Sequence, residues 1–327
     1  MILPQQTVFS IANEVQFTDY ALEVFRFQAE NCAVYQSYLS NLNIHPQEIK
    51  TLEDIPFLPI EFFKTREIIS NDQTPEITFS SSGTTGITTS RHLVTDVSWY
   101  QQSFRKGFEL FYGDIKDYAF LALLPSYLER SGSSLIYMVE DLIAGTTTQN
   151  SGFYLYNEEE LHQKLLDLQQ TKQPTILIGV TFALLGFIEK YQLNFPELIL
   201  METGGMKGRR KEMIREELHE KLCKGFGVPA IHSEYGMTEL LSQAYSLGEG
   251  LFNCVPWMKV LIRDINDPFT ILPNGKTGGI NVIDLANINS CSFIATQDLG
   301  KIHPNQMFEV LGRFDFSDIR GCNLLVG

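Results

Sequence analysis

The chain reads as an α/β protein with a mainly parallel sheet, and three observations predict this. Short apolar runs at 120–124, 175–180 and 198–201 alternate with segments of helical period. Strands alternating with helices build βαβ units, whose parallel strands are covered on both faces and so lose the apolar–polar alternation of a half-exposed strand. After about residue 250, turns rich in Gly, Pro and Asn instead separate short β-like runs at 258–263, 279–284 and 292–295. The expected organisation is an α/β core over 1–250 and a β-rich subdomain over 251–327.

The elements follow in order. Residues 18–39 carry Tyr20, Val24, Phe27, Val34 and Tyr38 at helical spacing, with Thr18 or Asp19 as the cap. Pro56 and Pro59 force an extended connector over 55–64. The segment 133–143 reads as a helix ended by Gly145. Asn157 with Glu160 three residues on reads as a capping box, opening a helix that buries Leu161, Leu165 and Leu168. A further helix is expected over 182–191. Residues 207–224 read as an amphipathic helix with Ile214, Leu218 and Leu222 on one face.

Composition narrows the function. The 327 residues are 44% hydrophobic, enough for a large core. A net charge of -14 argues against nucleic acid as the main partner, because a phosphate backbone needs a basic face. The five cysteines are scattered and show no zinc spacing, which with no evident signal peptide predicts a reduced, cytoplasmic setting. No apolar run reaches the roughly 18 residues of a membrane span.

The candidate chemistry begins after Phe79. Ser81, Ser82, Gly83, Thr84, Thr85 and Gly86 offer closely spaced backbone N–H groups and hydroxyls with little bulk. Such a loop suits phosphate, although it lacks the Lys of a Walker loop. Gly225-Phe226-Gly227-Val228-Pro229-Ala230 has the spacing of a dinucleotide fingerprint but follows a helical segment, so Gly225 reads as a helix C-cap. Gly204 and Gly205, with Lys207, Arg209, Arg210 and Lys211, gather cations where a helix dipole disfavours them, which points to an anion held between them. Tyr235, Gly236, Met237, Thr238 and Glu239 follow Ile231-His232-Ser233-Glu234; Tyr235 offers a flat face to a purine and Glu239 a carboxylate to Mg²⁺. Asp298 stands past a strand, where a carboxylate accepts ribose hydroxyls. Arg313 lies in Gly312-Arg313-Phe314-Asp315. Each stretch, taken singly, is also consistent with an ordinary turn or solvated face.

Together, in this order, the four stretches resemble the motifs of the adenylate-forming superfamily. The loop 81–86 is similar to its phosphate loop, and 235–239 to its adenine and Mg²⁺ motif. Thr296-Gln297-Asp298 is similar to its ribose-binding motif, with Gln297 in place of a glycine, and 312–315 to its hinge. Within that superfamily the chain looks most like the acyl-protein synthetases, the long-chain fatty-acid–protein ligases, on residues 79–86, 202–208 and the ending Arg320-Gly321-Cys322. The resemblance implies the large N-terminal domain of such an enzyme. It also implies ATP and Mg²⁺ as cofactors, a carboxylic (fatty) acid substrate activated to acyl-AMP, and acyl transfer to a protein cysteine, with Cys322 in the matching place. An acyl-accepting protein or a reductase is the implied partner. Only about fifteen residues follow Gly312, so no small lid domain with its catalytic lysine is expected. Arg91 then becomes the basic residue nearest the loop, with Lys207, Arg209 and Arg210 as the compensating charges. An acyl- or aryl-CoA ligase and a non-catalytic nucleotide-binding subunit are the alternatives.

Overall fold

A computed structural model describes residues 3–70, 73–81, 89–125, 132–204 and 213–314. The N-terminal part packs helices α1 (Gln5–Val8), α2 (Glu14–Asn31) and α3 (Ala33–Asn41) against the rest. The expected single helix is two, broken at Cys32, whose extended backbone bridges Ser70. Its cap is Asn13, which accepts from the Gln16 N–H at 3.0 Å, not Thr18 or Asp19. The proline connector contributes strand β1 (Leu58–Pro59) and the helical turn α4 (Phe62–Thr65). The hairpin β2 (Ile77–Ser80) and β3 (Arg91–Val94) brackets the small-residue loop.

The βαβ alternation follows as expected: α5 (Ser98–Tyr112), β4 (Ala119–Leu123), α6 (Ser134–Gly145), β5 (Gly152–Tyr154), α7 (Glu158–Thr171), β6 (Thr175–Val180), α8 (Thr181–Lys190), β7 (Ile199–Thr203), α9 (Arg215–Phe226) and β8 (His232–Tyr235). Three local expectations fail. Asn157 makes no cap bond into the helix; it accepts from the Leu155 N–H and donates to Glu160. Of the helix expected over 207–224, residues 207–212 lie outside the described residues; the described helix begins at Arg215, which leaves Ile214 at its cap and exposed. Gly225 lies inside α9, where a Cβ would stand 2.5 Å from Ile188; the left-handed C-cap is Gly227, at φ 69°.

The remaining strands are β9 (Ala244–Ser246), β10 (Leu251–Cys254), β11 (Met258–Arg263), β12 (Thr277–Asp284), β13 (Phe293–Ile302) and β14 (Phe308–Arg313). They continue the same sheet, whose order is β11-β12-β13-β14-β10-β9-β8-β7-β6-β4-β5, with β1 added beside β13. Strands β5, β4, β6, β7 and β8 are parallel, and from β9 outward the pairing along this order is antiparallel. The sheet therefore runs without a break through residue 250. In β4 and β6 every residue is buried, as a sheet covered on both faces requires. The sheet is thus a mixed one, parallel at its core with C-terminal antiparallel strands.

Candidate functional site

In an open parallel sheet, ligands bind beyond the carboxyl ends of the strands. Here that edge is formed by the ends of β4, β6, β7 and β8. The hairpin is tied to the segment that opens α6: the Ser80 N–H donates to Gly132 O at 2.7 Å. Ser81 and Ser90, which flank the small-residue loop, hold each other. The Ser81 N–H donates to Ser90 O at 3.1 Å, and the Ser90 N–H donates to Ser81 Oγ at 2.9 Å. Residues 82–86 of that loop lie outside the described residues, as do Gly205, Lys207, Arg209, Arg210 and Cys322.

Beyond β8 the segment 236–239 is pinned from two sides. His92, fully buried on β3, meets Thr238 O through Nδ1 at 2.9 Å. A carbonyl only accepts, so Nδ1 carries the proton. Burial lowers the His92 pKa to about 4, which keeps the ring neutral. On the other side Asn287 Nδ2 donates to Glu239 O at 2.7 Å. The Glu239 carboxyl is buried, its pKa is raised by that burial, and it is bonded by the Ser90 side chain. Arg313 and Lys64 act on it electrostatically and partly offset the rise. A buried carboxylate short of full compensation fits a divalent cation. Among the described residues there is no group of three His, Cys, Asp or Glu side chains that could hold a metal ion.

Tyr235 ends β8. Its ring is buried against Phe252 and Phe308, with centroids 5.9 and 5.5 Å away, and its hydroxyl donates to Asp298 Oδ2 at 2.9 Å. The ring expected to lie open to a purine is therefore committed to packing; the residues beyond it, Gly236, Met237 and Thr238, are half-buried. Asp298 itself lies within β13, not past it as its sequence suggested. Opposite it in register is Arg313, whose Nε donates to Asp298 Oδ1 at 3.2 Å from a largely exposed side chain. Gln297, in the position of the expected glycine, turns to Glu61. Gly204 follows β7, and its carbonyl accepts from Thr181 at 2.6 Å. Arg91 is exposed beside the loop and pairs with Glu67 at 3.8 Å.

So the structure brings Ser81, Thr238, Glu239, Tyr235, Asp298 and Arg313 to one linked region. The sequence reading missed Ser90, His92, Lys64 and Asn287. His92 and Asn287 carry no motif; the one available signal was polar residues inside otherwise apolar strands and turns.

No protein-family model matches the chain, and no curated protein matches it. Solved structures do. A 2-hydroxyisobutyryl-CoA ligase, in an open conformation with 2-HIB-AMP and CoA, superimposes with a TM-score of 0.70 at 12% identity, over 97% of this chain and 80% of its own. ATP-bound MatB from Rhodopseudomonas palustris gives a TM-score of 0.54 at 17% identity, over 72% of this chain and 47% of MatB. A long-chain-fatty-acid–CoA ligase from Archaeoglobus fulgidus gives 0.52 at 15% identity, over 76% of this chain and 53% of that one. The chain spans about half the length of the last two. At these identities the likeness is one of architecture: the chain carries the fold of the adenylate-forming enzymes.

Proposed function

We propose that the chain binds Mg·ATP and activates a carboxylic acid as its acyl-AMP. The observation that carries this is the linked set at the carboxyl edge, in which Glu239, Asp298 and the two serines flanking the small-residue loop stand at positions matching the motif order in the sequence. The acid's carboxylate attacks the α-phosphate and pyrophosphate leaves, a reaction driven by positioning and charge neutralisation. In this reading residues 81–86, with Gly204 and Gly205, hold phosphate oxygens. Asp298, oriented by Tyr235 and Arg313, accepts the ribose hydroxyls through its remaining lone pairs. Residues 235–238 flank the base. Glu239 holds Mg²⁺, which when bound neutralises charge on the phosphates. Arg91 and Lys207 supply further positive charge.

The acyl group then passes to a thiol: the thiol gives up its proton, its sulfur takes the acyl carbon and AMP leaves. The resemblance to acyl-protein synthetases makes the acid a fatty acid and the acceptor a protein cysteine, Cys322; the architecture shared with CoA ligases supports CoA as the acceptor instead. Hydroxamate trapping with Mg·ATP and an acid panel tests the activation. Acyl hydroxamate is expected with at least one acid, and Asp298→Asn is expected to lower its yield. Folded protein that binds ATP and yields none with any acid ends the proposal. CoA-dependent AMP release identifies the CoA acceptor, whereas acyl label lost on Cys322→Ser identifies the protein one.

A further inference from the structure

The two side chains that hold the Thr238 and Glu239 carbonyls each have a second polar atom, and both atoms turn to the same place. His92 spends its Nδ1 proton on Thr238 O, so the neutral ring carries a bare lone pair on Nε2. Asn287 spends its amide nitrogen on Glu239 O, which leaves Oδ1 as an acceptor. Both free atoms are buried, and neither has a hydrogen-bond partner among the described residues. Phe63 lies edge-on to the His92 ring at 5.6 Å and restrains it. Thr95, one residue past β3, has a buried hydroxyl that is likewise without a partner among the described residues.

His92, Thr95 and Asn287 line one cavity of about 10 Å³, with Trp99, Leu241 and Ser290 also in its wall. That is about the room one water molecule needs, and the three polar atoms are the number of partners a buried water usually has. The count of hydrogens points to the same occupant. Two acceptors lack donors, and the Thr95 hydroxyl holds a single hydrogen, so the three groups cannot satisfy one another. A water closes the set: it donates to His92 Nε2 and to Asn287 Oδ1, and it accepts from the Thr95 hydroxyl. A cation fits poorly, because ring, amide and hydroxyl are all neutral. The carboxylate in the wall, Asp96, already takes the Ser98 N–H and hydroxyl through Oδ1.

We propose that one ordered water fills this cavity and ties the β3 hairpin to the antiparallel half, and that Thr95 is thereby a positioning residue for Glu239. The water holds the far ends of the two side chains whose near ends grip Thr238 O and Glu239 O. It therefore sets where the Glu239 carboxyl meets Mg²⁺. Without it two buried acceptors stay unpaired, and each side chain gains by turning away from its carbonyl to find a donor. The water rests on the hydrogen bonding alone; its effect on Mg²⁺ rests on the activation reading above.

The test compares wild type, Thr95→Val and Thr95→Ser. Val keeps the shape of Thr and removes the hydroxyl; Ser restores it. Nitrogen-15 spectra of the imidazoles report the water. His92 Nε2 is expected at the shift of a hydrogen-bonded acceptor in wild type and Thr95→Ser, and at that of a free acceptor in Thr95→Val. Titration of Mg²⁺ in ATP–pyrophosphate exchange reports the positioning. The half-saturating concentration is expected to rise about tenfold in Thr95→Val, with kcat changed less and Thr95→Ser close to wild type. A free-acceptor shift at Nε2 in wild type overturns the water, and that measurement holds even if Thr95→Val does not fold. An unchanged Mg²⁺ requirement in a Thr95→Val protein that has lost the water overturns the positioning role. If wild type shows the water and exchanges no pyrophosphate with any acid, the activation reading falls and the water stands. Calorimetric titration with Mg·ATP then decides the positioning, with weaker binding by Thr95→Val upholding it and equal binding overturning it.

Discussion

The two halves of the sheet treat polar residues in opposite ways. In the parallel half, β4 and β6 are buried throughout, and the functional candidates stand at or beyond the strand ends. In the antiparallel half, two buried charged groups, Arg263 inside β11 and Asp284 at the end of β12, are well satisfied. Arg263 donates to Ile280 O at 2.7 Å, Asn281 Oδ1 at 2.9 Å and Thr296 O at 2.5 Å. Asp284 accepts from the Leu241 N–H, the Ser242 N–H, the Ser242 hydroxyl and the Ala286 N–H at 2.6–3.1 Å. The parallel half delivers the 235–239 segment; the antiparallel half clamps it through Asn287 and Asp298, and Asp284 holds the 241–242 turn that follows. A burial penalty is tolerable where every lone pair finds a donor, and that holds for Asp284 despite the upward push burial gives its pKa.

The clamp is where the comparison breaks most easily. Asp284→Ala leaves four donors unpaired in the core and is expected to cost about 3 kcal/mol or more. It should also loosen the 241–242 turn. Urea denaturation checks the first effect, and amide hydrogen exchange at Leu241 and Ser242 the second.

Glycine substitutions sharpen the contrast. In Gly300→Ala the new Cβ stands 2.5 Å from the backbone carbonyl of Glu309, which the β13–β14 pairing fixes, so a loss of about 2–3 kcal/mol is expected. In Gly179→Ala it stands 2.6 Å from the Leu184 side chain, which can rotate away, and about 1 kcal/mol is expected. Equal losses would remove the distinction between a backbone clash and a side-chain one.

Tyr235→Phe asks whether the bond across the two halves matters to function. It removes one of the two donors on Asp298 and leaves the ring packing intact. The expected outcome is a severalfold rise in KM for ATP with a smaller fall in kcat, read from pyrophosphate exchange.

Protonation acts in the parallel half. Burial first, and the neighbouring Glu202 charge after it, raise the Glu234 pKa from 4.5 to about 7. A carboxyl held above its unfolded value contributes stability that is fully present below the unfolded pKa and is lost as pH rises through the folded one. Wild type should therefore lose stability relative to Glu234→Gln between about pH 4.5 and 7; parallel denaturation curves across that window would refute the assignment. At the bottom of the scale, Lys221→Ala breaks an exposed Glu217–Lys221 pair on α9 and should change stability by less than about 0.5 kcal/mol.

Legibility in the sequence tracks the same division. Strands β6 and β11 match their apolar runs to the residue, because contiguous burial leaves a contiguous apolar signal. The run at 292–295 gives only the start of β13, which continues to Ile302 through Thr296, Gln297 and Asp298. Asp is depleted from strands, and only its pairing with Tyr235 and Arg313, distant in sequence, makes it acceptable there. The single helix expected over 18–39 failed because nothing local marks Cys32 as the place where the chain turns out to bridge Ser70.

Apolar runs and their helical spacing, local in the chain, were enough by themselves to determine the parallel core, the class of fold and the order of the candidate motifs. Only the tertiary structure decided that Glu239 is reached by Ser90, that His92 and Asn287 hold the carbonyls of Thr238 and Glu239, and that Glu234 faces Tyr245. Those facts depend on which strands become neighbours, and a polar residue's partner across a sheet leaves no periodic trace in the sequence that carries it.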